Sequence, residues 1–143
     1  MTGRSRAFVV LAAAFAVFLA LIIGLADTAS LGVLHGVYDW PYGDKLGHFT
    51  LYGTLALLIG LALLQRRPDR RPSGQLLTGY LIMILLVTLE ELSQAWIPTR
   101  SPDPFDLTAS YLGVFAGALA AIGLRRASDG GRSLLAAKAD PEA

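Results

Sequence analysis

Asp44, His48 and Tyr52 stand four residues apart in the stretch YGDKLGHFTLYGTLALLIG, which runs from Tyr42 to Gly60. A helix places residues at that spacing on one face, with Lys45 one position round from it. The row offers a carboxylate, an imidazole and a phenol, groups that hold, orient and transfer protons. A second set lies in TLEELSQAWIPTR, where Glu91 and Gln94 share a face at a spacing of three and Glu90 stands beside them. A third opens SPDPFDLTASYLG, whose Asp106, Ser110 and Gly113 form one helical stripe that continues to Gly117 beyond it. Asp103, followed by Pro104 and with Asp106 in the first turn, reads as a helix N-cap. Lys45 and Arg100 are the two cations near these groups, and Arg100 brings the planar fork that suits phosphate or carboxylate.

Four apolar blocks must position these residues. The chain has 143 residues, 54% of them hydrophobic, and a mean hydropathy of +0.53. The blocks are residues 7–26, 46–64, 76–89 (running on toward Trp96) and 107–124. Each approaches the ~20 residues that cross a hydrocarbon core of ~30 Å. The first is longer than the apolar core of a signal peptide, and Asp27 spoils the small-residue site after it, so it is expected to stay as a membrane helix. The expected fold is all-α, an integral membrane four-helix bundle. Residues 1–126 are expected to form the four-span domain and residues 127–143 a polar, disordered tail. Between Asp27 and Gly43 the periodicity is weak, and a short interfacial helix there is left open. Ala56/Gly60 and Gly113/Gly117, small residues at a spacing of four, suit close helix approach.

Charge gives an orientation. Ten of the twelve basic residues fall at the N-terminus, in the connection QRRPDRRPSGQ or in the C-terminal tail. Only Lys45 and Arg100 fall in the other two connections. Positive residues in short connections stay cytoplasmic, so both termini are expected inside and the acidic face outside. Trp40, Tyr42 and Trp96 fall on that acidic face, where aromatic rings favour the membrane interface. An ionisable group inside a span is costly, about 2.5–3.5 kcal/mol near the centre on insertion scales, and faces other polar groups or a wet cavity. His48, Glu91, Arg100 and Asp106 are therefore expected to converge at one rim. The chain has no cysteine, which excludes disulfides and thiolate metal sites. No ligand-dense motif such as H-E-x-x-H is present. His48, Glu91 and Asp106 would permit an O/N metal set, yet no metal and no cofactor is expected. No nucleic-acid partner is expected either, and the oligomeric state is left open.

These residues resemble a known family. Asp44-Lys45-x-x-His48-Phe49-x-x-Tyr52-Gly53 is similar to the first signature of the VanZ-like membrane proteins. Glu91-x-x-Gln94, then Pro98, Arg100, Asp106 and Gly113, is similar to the second. The two motifs span about half the chain. The family commonly carries asparagine where this chain has Ser110, which lacks the amide's reach. The resemblance implies a bacterial cell-envelope protein of the cytoplasmic membrane; the founding member is associated with low-level resistance to teicoplanin, a glycopeptide. No reaction is settled for the family.

Three uses of the polar residues stay open. In the first, the outer face binds or modulates a lipid-linked envelope precursor or a glycopeptide. Lys45 and Arg100 hold its phosphate or carboxylate, Glu91 and Asp106 orient those cations, and Tyr52, Gln94 and Ser110 line the site. In the second, the chain is an enzyme on a lipid substrate, a hydrolase or transferase. His48 and Glu91 act as acid–base pair and Asp44 orients the imidazole, although no nucleophile motif names the reaction. In the third, the groups form a structural lock or partner interface. Glu90 is expected to be solvated, and Glu91 to pair with Gln94.

Overall fold

The computed structural model describes residues 3–28, 42–66 and 73–139. It contains four long helices and, among the described residues, no strand. They are α1 (Gly3–Asp27), α2 (Gly43–Arg66), α3 (Ser73–Ser93) and α4 (Pro104–Ala139), with one 3₁₀ turn, Gln94–Trp96, after α3. All four helices are long and apolar enough to cross a membrane, within 5–27, 43–65, 74–96 and 104–131. The chain is thus an all-α four-helix bundle with the character of a multi-pass membrane protein. Its exposed surface agrees: Val10, Leu21, Leu77, Leu86, Phe115 and Leu119 are all more than half exposed. Such residues are at home against lipid tails and not against water. Residues 29–41, with His35, Trp40 and the short interfacial helix left open there, lie outside the described residues, as does most of the basic connection between α2 and α3.

The tightest contact is between α2 and α4. Their pairings rise together: Lys45 with Asp106, His48 with Ser110, and Leu64 with Arg125. The two helices are therefore parallel. Small residues let them approach. A Cβ on Gly113 would meet the Phe49 backbone at 3.0 Å or less. One on Gly117 would strike the Gly53 carbonyl, and one on Gly60 would lie 2.6 Å from Ala121 Cβ. Lipid tails are as apolar as the side chains, so close van der Waals packing and not water exclusion holds such helices together. The small-residue stripes read in the sequence thus form the main seam.

The helices α1 and α3 run antiparallel to α2. Tyr52, near the start of α2, bonds Glu90 near the end of α3, and Leu63, near the end of α2, sits against Gly79. Leu19, Tyr52, Ala56, Met83, Val87 and Val114 make a buried cluster to which every helix contributes. A hydrogen-bonded pair sits beside it: the Tyr111 hydroxyl donates to Thr88 Oγ1 at 2.6 Å, and Thr88 in turn donates to the Ile84 carbonyl at 2.7 Å. At the far end, Arg125 Nη1 donates to the Leu64 carbonyl at 2.5 Å and Nε to Asp129 at 2.7 Å, covering the C-terminal end of α2.

One expectation fails here. The segment after Arg126, read as a disordered tail, continues α4 as helix to Ala139. Ala and Leu are strong helix formers, and Arg125–Asp129 is an i,i+4 pair, enough to carry the helix through Gly130 and Gly131. At 1.5 Å per residue the 36-residue helix is about 54 Å long, well beyond one bilayer core.

Candidate functional site

The N-terminal ends of α2 and α4 meet the C-terminal ends of α1 and α3 at one end of the bundle. The described residues there carry six carboxylates, Asp27, Asp44, Glu90, Glu91, Asp103 and Asp106, against Lys45 and Arg100. Local chain geometry sets the approach to α2. Tyr42 has φ 67°, a left-handed conformation that is uncommon for a residue with a Cβ. It turns the chain so that the Leu46 N–H reaches the Tyr42 carbonyl at 3.0 Å. The α3–α4 connection is set by Pro98. The preceding Ile97 is extended, as a residue before proline prefers, and the helical run ends there.

Lys45 is the centre of the cluster. Its Nζ donates to Asp44 Oδ2 at 2.9 Å, Asp103 Oδ2 at 2.9 Å and Asp106 Oδ1 at 3.0 Å. An ammonium has three donors, so all are spent. Oxygens of the three aspartates lie within 4.8 Å of one another, a spacing that would suit a cation; here the ammonium is that cation. Asp103 also caps α4, accepting the Phe105 N–H at 2.8 Å. The Lys45 bond holds the Asp103 carboxyl below the usual carboxylate range, and the Phe105 N–H adds to it. The expected cap is therefore present and has a second function as a ligand to Lys45.

His48 turns to α4. Its Nδ1 is 3.0 Å from Ser110 Oγ, which is fully buried. Its ring lies 6.0 Å from that of Tyr52, tilted by 34°. Tyr52 is buried, and its hydroxyl donates to Glu90 Oε2 at 3.1 Å. Gln94, also buried, donates to Glu90 Oε1 at 3.2 Å and Glu91 Oε2 at 3.3 Å. Glu91 is 3% exposed, and its Oε1 accepts the Asp103 backbone N–H at 2.7 Å. Glu90 and Glu91 occupy the last turn of α3, where the helix dipole disfavours negative charge. Their placement serves the tertiary contacts and works against their own helix.

Arg100 stands slightly apart. Its Nη1 is 3.4 Å from Asp27 Oδ1, and the Thr99 hydroxyl donates to the Asp27 carbonyl at 2.7 Å. These bonds tie the end of α1 to the α3–α4 connection. Trp96 and Tyr42 are 80% and 76% exposed at this same end.

Every site residue read from the sequence lies at this end, but the pairings differ from those expected. Asp44 does not orient His48; it bonds Lys45, because its side chain folds back onto the next residue's N–H at 2.8 Å and ammonium. Glu91 is engaged with Asp103 and Gln94, and the partner of His48 is Ser110. The acid–base arrangement of His48, Glu91 and Asp44 is not assembled. Ser110, short as it is, reaches the imidazole because the glycine seam beneath it brings α4 so close. Glu91 pairs with Gln94 as expected. It does not orient a cation, whereas Asp106 does. Glu90 was expected in solvent and instead joins Tyr52 to Gln94. Its signal was available: it lies four residues before Gln94 and one turn from the helix end. Asp103, read only as a cap, is the other residue whose wider part the sequence does not disclose.

Comparison of the chain with family models, with curated proteins and with solved structures gives no match.

Proposed function

We propose that this chain is a VanZ-like envelope protein of the bacterial cytoplasmic membrane whose acidic end faces outward and binds the polar part of a lipid-linked envelope precursor or glycopeptide. The supporting observation is the convergence of Lys45, His48, Tyr52, Glu91, Gln94, Asp106 and Ser110, from three helices, at one rim of the bundle. The basic residues Arg4, Arg6, Arg66, Arg125 and Arg126 lie toward the opposite end, which favours N-in, C-in insertion. Lipid-linked precursors and glycopeptides both occupy the outer side in this reading. The two cations contribute differently. Arg100 makes a single long contact to Asp27 and its guanidinium has five donors, so it is the first contact for a phosphate or carboxylate. Lys45 serves such a group only after leaving its aspartates. The carboxylates and Gln94 face the hydroxyl and amide groups of the ligand.

A structural lock has one observation in its favour, the three-way engagement of Lys45 with residues of α2, α4 and the connection before α4. The two readings part under substitution. Arg100→Lys keeps the charge and loses the fork. Native mass spectrometry of the detergent-purified protein with a polyprenyl-linked cell-wall precursor is expected to show a bound adduct for wild type and a loss of about ten-fold or more in affinity for Arg100→Lys. The same variant is expected to accumulate normally in the membrane. Equal retention of precursor and of bulk phospholipid by wild type would sink the binding reading. Collapse of membrane accumulation in both Arg100→Lys and His48→Ala would favour the lock.

A further inference from the structure

The end of the bundle away from the acidic rim is basic. Arg6, in the first turn of α1, and Arg126, on α4, are both exposed there, and neither forms an ion pair with a described residue. Each follows directly on a residue anchored to the bundle. Ser5 is fully buried, which packs the start of α1. Arg125 donates to the Leu64 carbonyl at 2.5 Å and to Asp129 at 2.7 Å, which ties this turn of α4 to the end of α2. The anchors fix the backbone, so the arginine beside each one is presented outward from a packed turn. Asp129 is the single acid among the described residues at this end, and Arg125 occupies it. Arg6 and Arg126 thus have no counter-ion among the described residues.

Depth along the helix axes puts both at a membrane surface. From Arg6 to Asp27 on α1, and from Asp106 to Arg126 on α4, the rise at 1.5 Å per residue is about 30 Å. That is the thickness of a hydrocarbon core. With the acidic rim in one headgroup layer, the two guanidiniums lie in the other, at the level of the lipid phosphates. A guanidinium takes two phosphate oxygens at once with its planar fork of N–H donors. A phosphatidylcholine head offers the same phosphate, but its own ammonium cancels the charge. An anionic head keeps that charge, and each basic group near the surface favours it. We propose that Arg6 and Arg126 hold the phosphates of anionic phospholipids at the basic end of the bundle, and that Arg125, although adjacent, is a structural residue that takes no part. This goes beyond the binding reading of the acidic rim and does not depend on it, since it needs only helices that cross a bilayer.

The test is native mass spectrometry of the full chain in neutral detergent micelles, with equal amounts of phosphatidylglycerol and phosphatidylcholine carrying the same acyl chains. The ratio of the two lipids bound is the readout. Wild type is expected to favour phosphatidylglycerol by about ten-fold or more, and Arg6→Gln and Arg126→Gln are each expected to lower the ratio by about five-fold. Arg132→Gln removes the same charge one and a half turns further along α4, about 9 Å beyond Arg126. It is expected to leave the ratio within about two-fold, because that distance approaches the screening length of about 10 Å at 0.1 M salt. Arg125→Gln is expected to lower the unfolding midpoint and to leave the ratio within about two-fold. Equal binding of the two lipids by wild type overturns the proposal. So does an unchanged ratio in Arg6→Gln or Arg126→Gln, or an equal fall in Arg132→Gln or Arg125→Gln. Should Arg125→Gln fail to fold, the other three variants decide. Arg100→Lys, which tests the acidic rim, is expected to keep the wild-type lipid ratio, so failure of either reading is distinguishable from failure of the other.

Discussion

Gly113→Ala tests how the seam positions the site. A Cβ there has the Phe49 carbonyl carbon and Cα at 3.0 Å and the carbonyl oxygen closer still. The obstructing atoms are backbone, so no side chain can swing aside. Carbon atoms sit comfortably at about 3.5–4.0 Å, and restoring that separation moves α4 away from α2 by roughly 1 Å. His48 Nδ1 and Ser110 Oγ, one turn toward the rim, are 3.0 Å apart. The same displacement takes them to roughly 4 Å, beyond a hydrogen bond. Overpacking costs about 1–3 kcal/mol and the lost buried bond about 1 kcal/mol, so a destabilisation of about 2–4 kcal/mol is expected. The assay is reversible unfolding in mixed micelles, with the His48 ring resonance read alongside. Gly123→Ala is the control: it is exposed on the same helix and has nothing within 4 Å of its would-be Cβ, so helix propensity alone predicts stabilisation of up to about 1 kcal/mol. If Gly113→Ala matches the stability of the control and leaves the His48 signal unchanged, the glycine seam does not set the site geometry.

Two further outcomes follow from the cluster. Lys45 and the Phe105 N–H hold Asp103 below the usual carboxylate range; a folded value under the unfolded one of about 3.9 means that its stabilising effect is complete above that pH and is lost as pH falls through the folded value. Acid unfolding of the purified protein is thus expected to begin below about pH 4, and Asp103→Asn to flatten that dependence; an identical acid limb in the variant would contradict it. Glu91→Ala leaves the Asp103 N–H without its acceptor and is expected to cost about 1–3 kcal/mol, whereas Glu91→Gln retains a carbonyl oxygen for that N–H and is expected to recover most of it; equal losses would show that the bond to Asp103 is not what Glu91 provides.

Four long apolar blocks determined four helices, since length and composition alone decide whether a segment can satisfy its backbone in a lipid-thick span. The rows within one helix were equally legible. The 3.6-residue period is local, so Asp44, His48 and Tyr52, or Asp106, Ser110, Gly113 and Gly117, share a face wherever their helix lies. The tertiary structure decided the partners. Whether His48 meets Glu91 or Ser110, whether Asp44 serves an imidazole or an ammonium, and whether Glu90 is wet or bonded depend on how each helix is rotated about its axis and how far it is staggered. The backbone approach at Gly113 and Gly117 sets both for α2 and α4, and a rotation of some tens of degrees would exchange one partner for another. The helical course of α4 past Arg126 was hidden for a different reason: its composition is balanced between helix formers and glycines, and the Leu64 and Asp129 contacts of Arg125 anchor the stretch where it leaves the bundle.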